Sequence, residues 1–206
     1  MSIEATGVIT WRPLALDDIN NISEWFWDFQ DVALFDRSLP VPTSVDAMRE
    51  SWGKTIEYQK SPCGFWFIAE TKQGRPLGIA GLESINYIQG DGVIPFFVAK
   101  QFRKNGLASA MAICILDLAF KRLRLHRLTT FYRDDNAATQ RALGKLGFHD
   151  EGRMREGWFV EGERKDIVIA GILGSEWLAN REQVIDTVMQ SCDLSFAPTC
   201  WKDGRE

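Results

Sequence analysis

Residues 6–11 (TGVITW) alternate apolar and polar positions and are rich in β-branched side chains, the period-two signature of a first strand. From Leu16 the spacing lengthens to that of a helix through Asn21, Ile22, Trp25, Phe26 and Phe29, with Asp17 or Asp18 placed to cap its start. The run 39–44 (LPVPTS) breaks that helix, and Ser44 opens a second one in which Ala47, Met48, Ser51, Trp52 and Ile56 recur at helical spacing. Residues 64–71 (GFWFIAET) and 76–86 (PLGIAGLESIN) flank Lys72-Gln73-Gly74-Arg75, a hairpin turn whose glycine supplies positive φ. A second turn around Gln89-Gly90-Asp91-Gly92 leads into 93–99 (VIPFFVA), which completes an antiparallel meander of three strands. Pro95 has no N–H for the ladder, so this third strand must be a local edge, a bulge or one half of a splayed pair.

Residues 107–124 form the strongest helical run, almost wholly apolar in its first half. Its end carries Lys121, Arg122 and Arg124, where cations suit the negative end of the helix dipole. Residues 127–132 (RLTTFY) predict a strand, Arg133-Asp134-Asp135-Asn136 a turn, and 137–146 a helix that Gly147 ends in the left-handed conformation. A buried strand follows at 166–173 (DIVIAGIL), and the chain beyond Trp177 reads as helical to about Gln190 and irregular after it.

A chain of 206 residues, 45% hydrophobic and 25% charged, is a single domain able to bury its own core. Its 13 Phe, 8 Trp and 3 Tyr exclude intrinsic disorder. The longest apolar run, 107–120, is interrupted by Asp117 and is shorter than the roughly 20 residues a bilayer requires, so no membrane partner is expected. The start Met1-Ser2-Ile3-Glu4-Ala5 lacks the basic and apolar segments of a secretory signal, which predicts a cytoplasmic protein. Cys63, Cys114, Cys192 and Cys200 are scattered with no C-x-x-C pair, which indicates neither a zinc site nor a disulfide framework, and Cys114 reads as inert core. His126 and His149 are too far apart to suggest a metal cluster, so no metal is expected.

The formal charge of −4 hides a polarity, since residues 101–145 carry nine basic and three acidic residues between two acidic flanks. Such an island fits a compact polyanion such as a phosphorylated cofactor, and equally a solvated helix face. It lacks the aromatic-rich strand motif of RNA-binding domains, so no nucleic-acid partner is expected.

The informative segment joins the third meander strand to the long helix through Lys100-Gln101-Phe102-Arg103-Lys104-Asn105-Gly106-Leu107-Ala108. A turn feeding a helix leaves the first N–H groups without intrahelical partners at the positive end of the macrodipole, an anion cradle. Gly106 lets a phosphate approach the backbone, Ala108 and Ser109 keep the helix start uncluttered, and Arg103 and Lys104 add charge. The pattern is neither a P-loop nor a dinucleotide-binding fingerprint.

Arg103-Lys104-Asn105-Gly106-Leu107-Ala108 resembles the pyrophosphate loop [QR]-x-x-G-x-[GA] of the GNAT superfamily of acyl-CoA-dependent N-acyltransferases. Asn136-x-x-Thr139 followed by Leu146-Gly147-Phe148 is similar to a second segment of that family. Glu151-Gly152-Arg153, Asp166 and Ser175-Glu176-Trp177 resemble its ribosomal-protein (RimJ/RimL-like) branch, and the likeness spans residues 8 to 177. It implies an α/β (α+β) fold with a mixed, mostly antiparallel, splayed sheet flanked by helices, and acetyl-CoA as cosubstrate. It divides the chain into an acyltransferase domain at 1–178 and a C-terminal extension at 179–206 that packs on the domain or on a partner in a homodimer. By the same resemblance, the main chain of Phe96, Phe97 and Val98 holds the cofactor arm, residues 103–109 hold its phosphates, and Asn136 reaches toward it. As a residue ahead of a helix, Asn136 is also an ordinary N-cap.

Many members place a tyrosine seven residues beyond the asparagine to protonate the departing thiolate; here that position is Leu143. Thr139 is then the candidate to hydrogen-bond the thiolate, or it simply back-bonds within its helix. The attacking amine must lose a proton, and Glu83, flanked by apolar residues on the strand before the cofactor strand, is the candidate base, unless alternation puts it on a solvated face. The Val98 N–H is the candidate electrophile for the carbonyl. Trp25, Phe26, Trp27, Phe29, Phe35 and Trp52 load the first two helices with aromatics, most of them expected core. The acceptor pocket implied by the family draws on Trp27, Asp31 and Phe35 here, with Glu83, Tyr132 and Trp158 closing it. The expected activity is acetyl transfer to a primary amine, on a small molecule or a protein N-terminus, by direct attack in a ternary complex. A CoA-binding module with little turnover is the alternative.

Overall fold

The computed structural model describes residues 9–35, 42–56 and 63–190. The meander forms the spine of an eight-stranded mixed sheet. β1 (Ile9–Pro13), β2 (Phe65–Thr71) and β3 (Pro76–Asn86) pair antiparallel in that order. Two short strands follow, β4 (Asp91–Val93) and β5 (Phe96–Val98), and both pair antiparallel with β3 at different points along it. β6 (Arg127–Arg133) runs parallel to β4, and β7 (His149–Val160) and β8 (Glu163–Leu173) extend the sheet in the order β6-β8-β7.

Six α-helices are described: α1 (Ile19–Ile22), α2 (Phe29–Phe35), α3 (Val45–Ile56), α4 (Leu107–Asp117), α5 (Ala137–Leu146) and α6 (Gly174–Gln190). Ile19, Ile22, Val32 and Met48 from α1–α3 join Trp66 and Ile68 of β2 in one apolar cluster, whereas Phe67 and Ala69 of the same strand join α4 in the larger one. Strand alternation thus feeds two cores, and a sheet covered on both faces needs the near-continuous apolar runs seen in β2 and β3. α4 lies so close that a Cβ on Gly78 would come within 3.0 Å of the Met111 side chain.

Several expectations are revised. The helix read from Leu16 to Phe29 is instead a chain of 3-10 turns, Leu16–Asp18 and Ser23–Phe26, around the single-turn α1. Asn20, Asn21 and Ser23 hold helices poorly because their side chains compete for the backbone, and Ser23 Oγ donates to the Asn20 carbonyl. The helix read to Arg124 leaves α geometry at Asp117 and widens into a π turn, Leu118–Arg122. β7 had no counterpart in the sequence reading: its first eight residues are exposed, so this edge strand carries no apolar alternation. The boundary drawn at 178 falls inside α6, whose Val184, Ile185 and Val188 are buried against the domain; residues 191–206 lie outside the described residues. Cys114, fully buried in α4, is disulfide-bonded rather than an inert thiol, Cys63 is an exposed thiol outside any disulfide, and Cys192 and Cys200 lie outside the described residues.

The far end of α4 is fixed by one carboxylate. Asp117 accepts from Trp177 Nε1 at 3.0 Å and from Arg181 through Nε at 2.8 Å and Nη2 at 2.6 Å, which ties α6 to α4. Removing one partner of such a pair strands the other charge in a dry setting. Asp117→Ala is therefore expected to cost about 3 kcal/mol, at the lower end for a broken buried pair. Urea denaturation reads the loss, and a change under about 1 kcal/mol would show that the knot contributes nothing beyond an exposed ion pair.

Candidate functional site

Pro95 opens the site. β4 and β6 stay bonded as far as the Ile94 N–H to Thr129 carbonyl at 3.0 Å, and Thr130 Oγ1 donates to the Ile94 carbonyl at 3.2 Å. Past that point β3 is the only strand still paired with the chain: the Pro95 carbonyl accepts from Gly81 N–H (3.0 Å) and Ala99 N–H donates to the Leu77 carbonyl (3.1 Å). Residues 95, 97 and 99 therefore face β3, and alternation directs the main-chain groups of Phe96 and Val98 into the wedge between β5 and β6. Phe97 is the exception among the three expected arm-binding residues, since its main chain faces β3 and its ring packs on Phe26 and Trp25.

The wedge leads to the start of α4. Gly106 sits at φ +81° as the N-cap, a left-handed conformation that costs a glycine nothing, and no side chain caps the helix. The first closing bond is Ala110 N–H to Gly106 carbonyl at 3.0 Å, so the amides of Leu107, Ala108 and Ser109 have no intrahelical partner. The side chains of Leu107 and Ser109 are buried, which leaves their main chain as the part a ligand can reach. Uncapped amides converging on a glycine turn suit the diphosphate of coenzyme A, and the Val98 N–H in the adjoining wedge suits its acyl arm.

Charge contributes less than the composition implied. Arg103 turns away from the cradle: Nε donates to the Val98 carbonyl at 2.9 Å, Nη1 to Asp31 Oδ1 at 2.8 Å, and the guanidinium stacks over Phe97. Its expected role as a phosphate-binding charge is corrected to that of a strut under β5. Lys104, at φ +69°, is exposed beside the turn, and Asn105 is half-buried within it. Lys121, Arg122 and Arg124 lie beyond the other end of α4, roughly 20 Å along the axis at 1.5 Å per residue. Their share of the basic island serves the helix terminus.

On the opposite side of the wedge, Asn136 caps α5 by accepting from the Thr139 N–H at 3.1 Å, and both side chains line the cavity. Leu143 is 2% exposed within the core, so the position that carries a tyrosine in many relatives offers no hydroxyl.

That cavity holds about 550 Å³ between α2, α3, β3–β6 and β7. Glu83 reaches it half-buried, accepting the Trp66 indole N–H at 3.1 Å, at a point where β3 bulges and Ser84 adopts φ +49°. Tyr132 and Trp158 line it as expected. Two other acceptor candidates are corrected: Trp27 is 53% exposed and does not line the cavity, and Asp31 is 5% exposed and spent on Arg103. The second is taken because the turn after β5 brings Arg103 between Asp31 and the Val98 carbonyl. The side chain of Phe35 lies outside the described residues. The sequence reading missed Trp66 and Met154. Alternation in β2, which puts Trp66 on the same side as Ile68, could have found the first; nothing marked the second on a strand without apolar pattern.

A splayed mixed sheet with an uncapped glycine turn at the end of the wedge defines an acyl-CoA-dependent transferase. Residues 9–149 match the acetyltransferase (GNAT) domain family, and the chain belongs to it. A spermidine N(1)-acetyltransferase of Vibrio cholerae is 28% identical over 139 residues, 68% of this chain and 79% of that protein. A putative ribosomal N-acetyltransferase of Bacillus subtilis is 27% identical over 136 residues, 66% and 74%. The crystal structure of the Vibrio cholerae spermidine N-acetyltransferase in complex with CoA and spermine superposes with a TM-score of 0.75 at 25% identity, covering 82% of this chain and 98% of that one. The fold class is thus as expected, and the protein is an acetyltransferase that uses acetyl-CoA. Among the described residues no cluster of side chains could hold a metal ion, and no helix is long and apolar enough to cross a membrane.

Two outcomes follow from this geometry. Gly106→Val forces a β-branched residue into the left-handed region and narrows the cradle, so acetyl-CoA binding measured by calorimetry should fall at least about 100-fold while the circular dichroism spectrum is retained. Tyr132 is pushed up to about 12, first by burial and then by its hydrogen bond to Asp150 Oδ1 at 2.9 Å. It stays protonated at neutral pH, and the folded state loses stability as pH rises from the unfolded tyrosine value near 10 through the folded one. Difference absorbance against Tyr132→Phe should show this titration near 12, and Asp150→Asn should lower it while burial keeps it above 10.

Proposed function

We propose that the chain moves the acetyl group of acetyl-CoA onto a primary amine, on a small molecule or a protein N-terminus, by direct attack within a ternary complex. The observation that carries this reading is the meeting of the two half-sites: the Val98 N–H and the α4 amides open on one side of the wedge, and Glu83 lies in an aromatic cavity that Asn136 and Thr139 also line. We assign the chain to the RimJ/RimL-like branch on its Glu151-Gly152-Arg153, Asp166 and Ser175-Glu176-Trp177 segments together with its ribosomal relative.

Acetyl-CoA, when bound, supplies an acyl group activated as a thioester. The main chain of Phe96 and Val98 holds its arm and the amides from Gly106 to Ser109 hold its phosphates, with Lys104 adding charge from the surface. The Val98 N–H polarises the acyl carbonyl from a fixed position, next to the Val98 carbonyl that Arg103 holds in the following peptide. Glu83, held by Trp66, takes the proton that the attacking amine must lose. Thr139 Oγ1, at the first turn of α5, offers a hydrogen bond to the departing sulfur in place of the absent tyrosine.

Incubation with acetyl-CoA and a panel of primary amines, read as free thiol, tests the activity; coenzyme binding without thiol release from any amine would leave a binding module. Glu83→Gln should lower kcat/KM about 100-fold at pH values where the carboxylate is ionised and should abolish the acid limb of the profile. An unchanged profile would remove Glu83 from the proton path.

A further inference from the structure

The cavity is unevenly furnished. Among the described residues that line it, Glu83 is the only charged side chain. Trp52 and Trp66 meet edge to face with ring centres 4.8 Å apart, Trp158 adds a third indole, and Phe96 adds a phenyl ring. At the mouth, Phe131 and Met154 line the cavity yet remain 45% and 42% exposed, apolar surface that the folded chain itself leaves in water.

A polyamine brings several ammonium groups, and each one taken from water needs a carboxylate or equivalent partner. The described lining offers one. Three indoles and two exposed apolar lips instead suit a body that is itself apolar and flat, with one ammonium directed at Glu83 and ring faces available to it. We propose that the acceptor is a singly charged primary amine bearing an aromatic or branched apolar group close to the nitrogen, and not a polyamine. The proposal rests on the acetyltransferase reading and narrows its acceptor. A free arylalkylamine and the N-terminal residue of a polypeptide share this chemistry.

The test compares kcat/KM, by thiol release, for 2-phenylethylamine, n-propylamine, spermidine and a tripeptide amide beginning with phenylalanine. Phenylethylamine should exceed propylamine by about 50-fold, the factor expected from burying a phenyl ring, and spermidine should not exceed propylamine. Trp52→Ala should reduce the phenylethylamine advantage about 10-fold and Trp52→Phe should restore most of it. The higher of the phenylethylamine and tripeptide rates identifies the source. Spermidine turning over faster than phenylethylamine, or phenylethylamine matching propylamine, would overturn the proposal. Tryptophan fluorescence of the CoA-loaded protein supplies a second readout, with saturable quenching by phenylethylamine at lower concentration than by spermidine. Quenching without thiol release from any amine would remove the acetyl-transfer reading and leave the pocket chemistry standing; absence of both would remove both.

Discussion

The end of one hydrogen-bond ladder shapes this protein. The bonds to β6 stop at Ile94, whose carbonyl is taken by the Thr130 hydroxyl; Pro95 has its carbonyl and its missing N–H both on the β3 side, β5 pairs with β3 alone, and the sheet parts between β5 and β6. Everything chemical is arranged around that gap. The Phe96 and Val98 peptides face into it because residues 95, 97 and 99 are committed to β3, and the chain leaves β5 directly into the turn whose Gly106 starts α4. A continuous ladder would satisfy the same peptides with a neighbouring strand and leave nothing for a ligand.

The electrostatics of the site come mainly from oriented peptides. The basic island of the sequence suggested side-chain charge, yet Arg103 is absorbed by Asp31 and the Val98 carbonyl, and the cations after Asp117 sit at the other end of the helix. Fixed amides need no rearrangement when an anion arrives, which makes them better suited than mobile lysines to a site that must hold one geometry. Arg103 still matters, as a brace that joins Asp31 of α2 to the Val98 carbonyl, one peptide beyond the N–H expected to polarise the acyl carbonyl. Elsewhere Arg12 plays a similar part, bridging Asp18 and Glu70 and holding the Asp18 carboxyl below its usual range through the hydrogen bond.

Most of this was legible where local chemistry dictates local shape. The meander, the break at Pro95, the caps at Ser44 and Asn136 and the left-handed end at Gly147 all follow from local residues with distinct roles: a proline without an N–H, side chains that cap, and a glycine free to take positive φ. Long-range pairing was not legible. Asp31 looked like an acceptor carboxylate because nothing in its neighbourhood announces Arg103, 72 positions away. β7 escaped because an edge strand in water needs no apolar face, and with it went Met154. Trp66 was readable in principle, since the period of β2 puts it on the α1–α3 side.

The knot around Asp117 bears on the cleft from a distance. α4 is tied at its C-terminal end to α6 through Trp177 and Arg181, and its residues are buried almost throughout its length. The amides at its opposite tip belong to a turn whose Leu107, Ser109 and Ala110 are buried in the core, so the entropy of ordering them is lost once, during folding, instead of at every catalytic cycle.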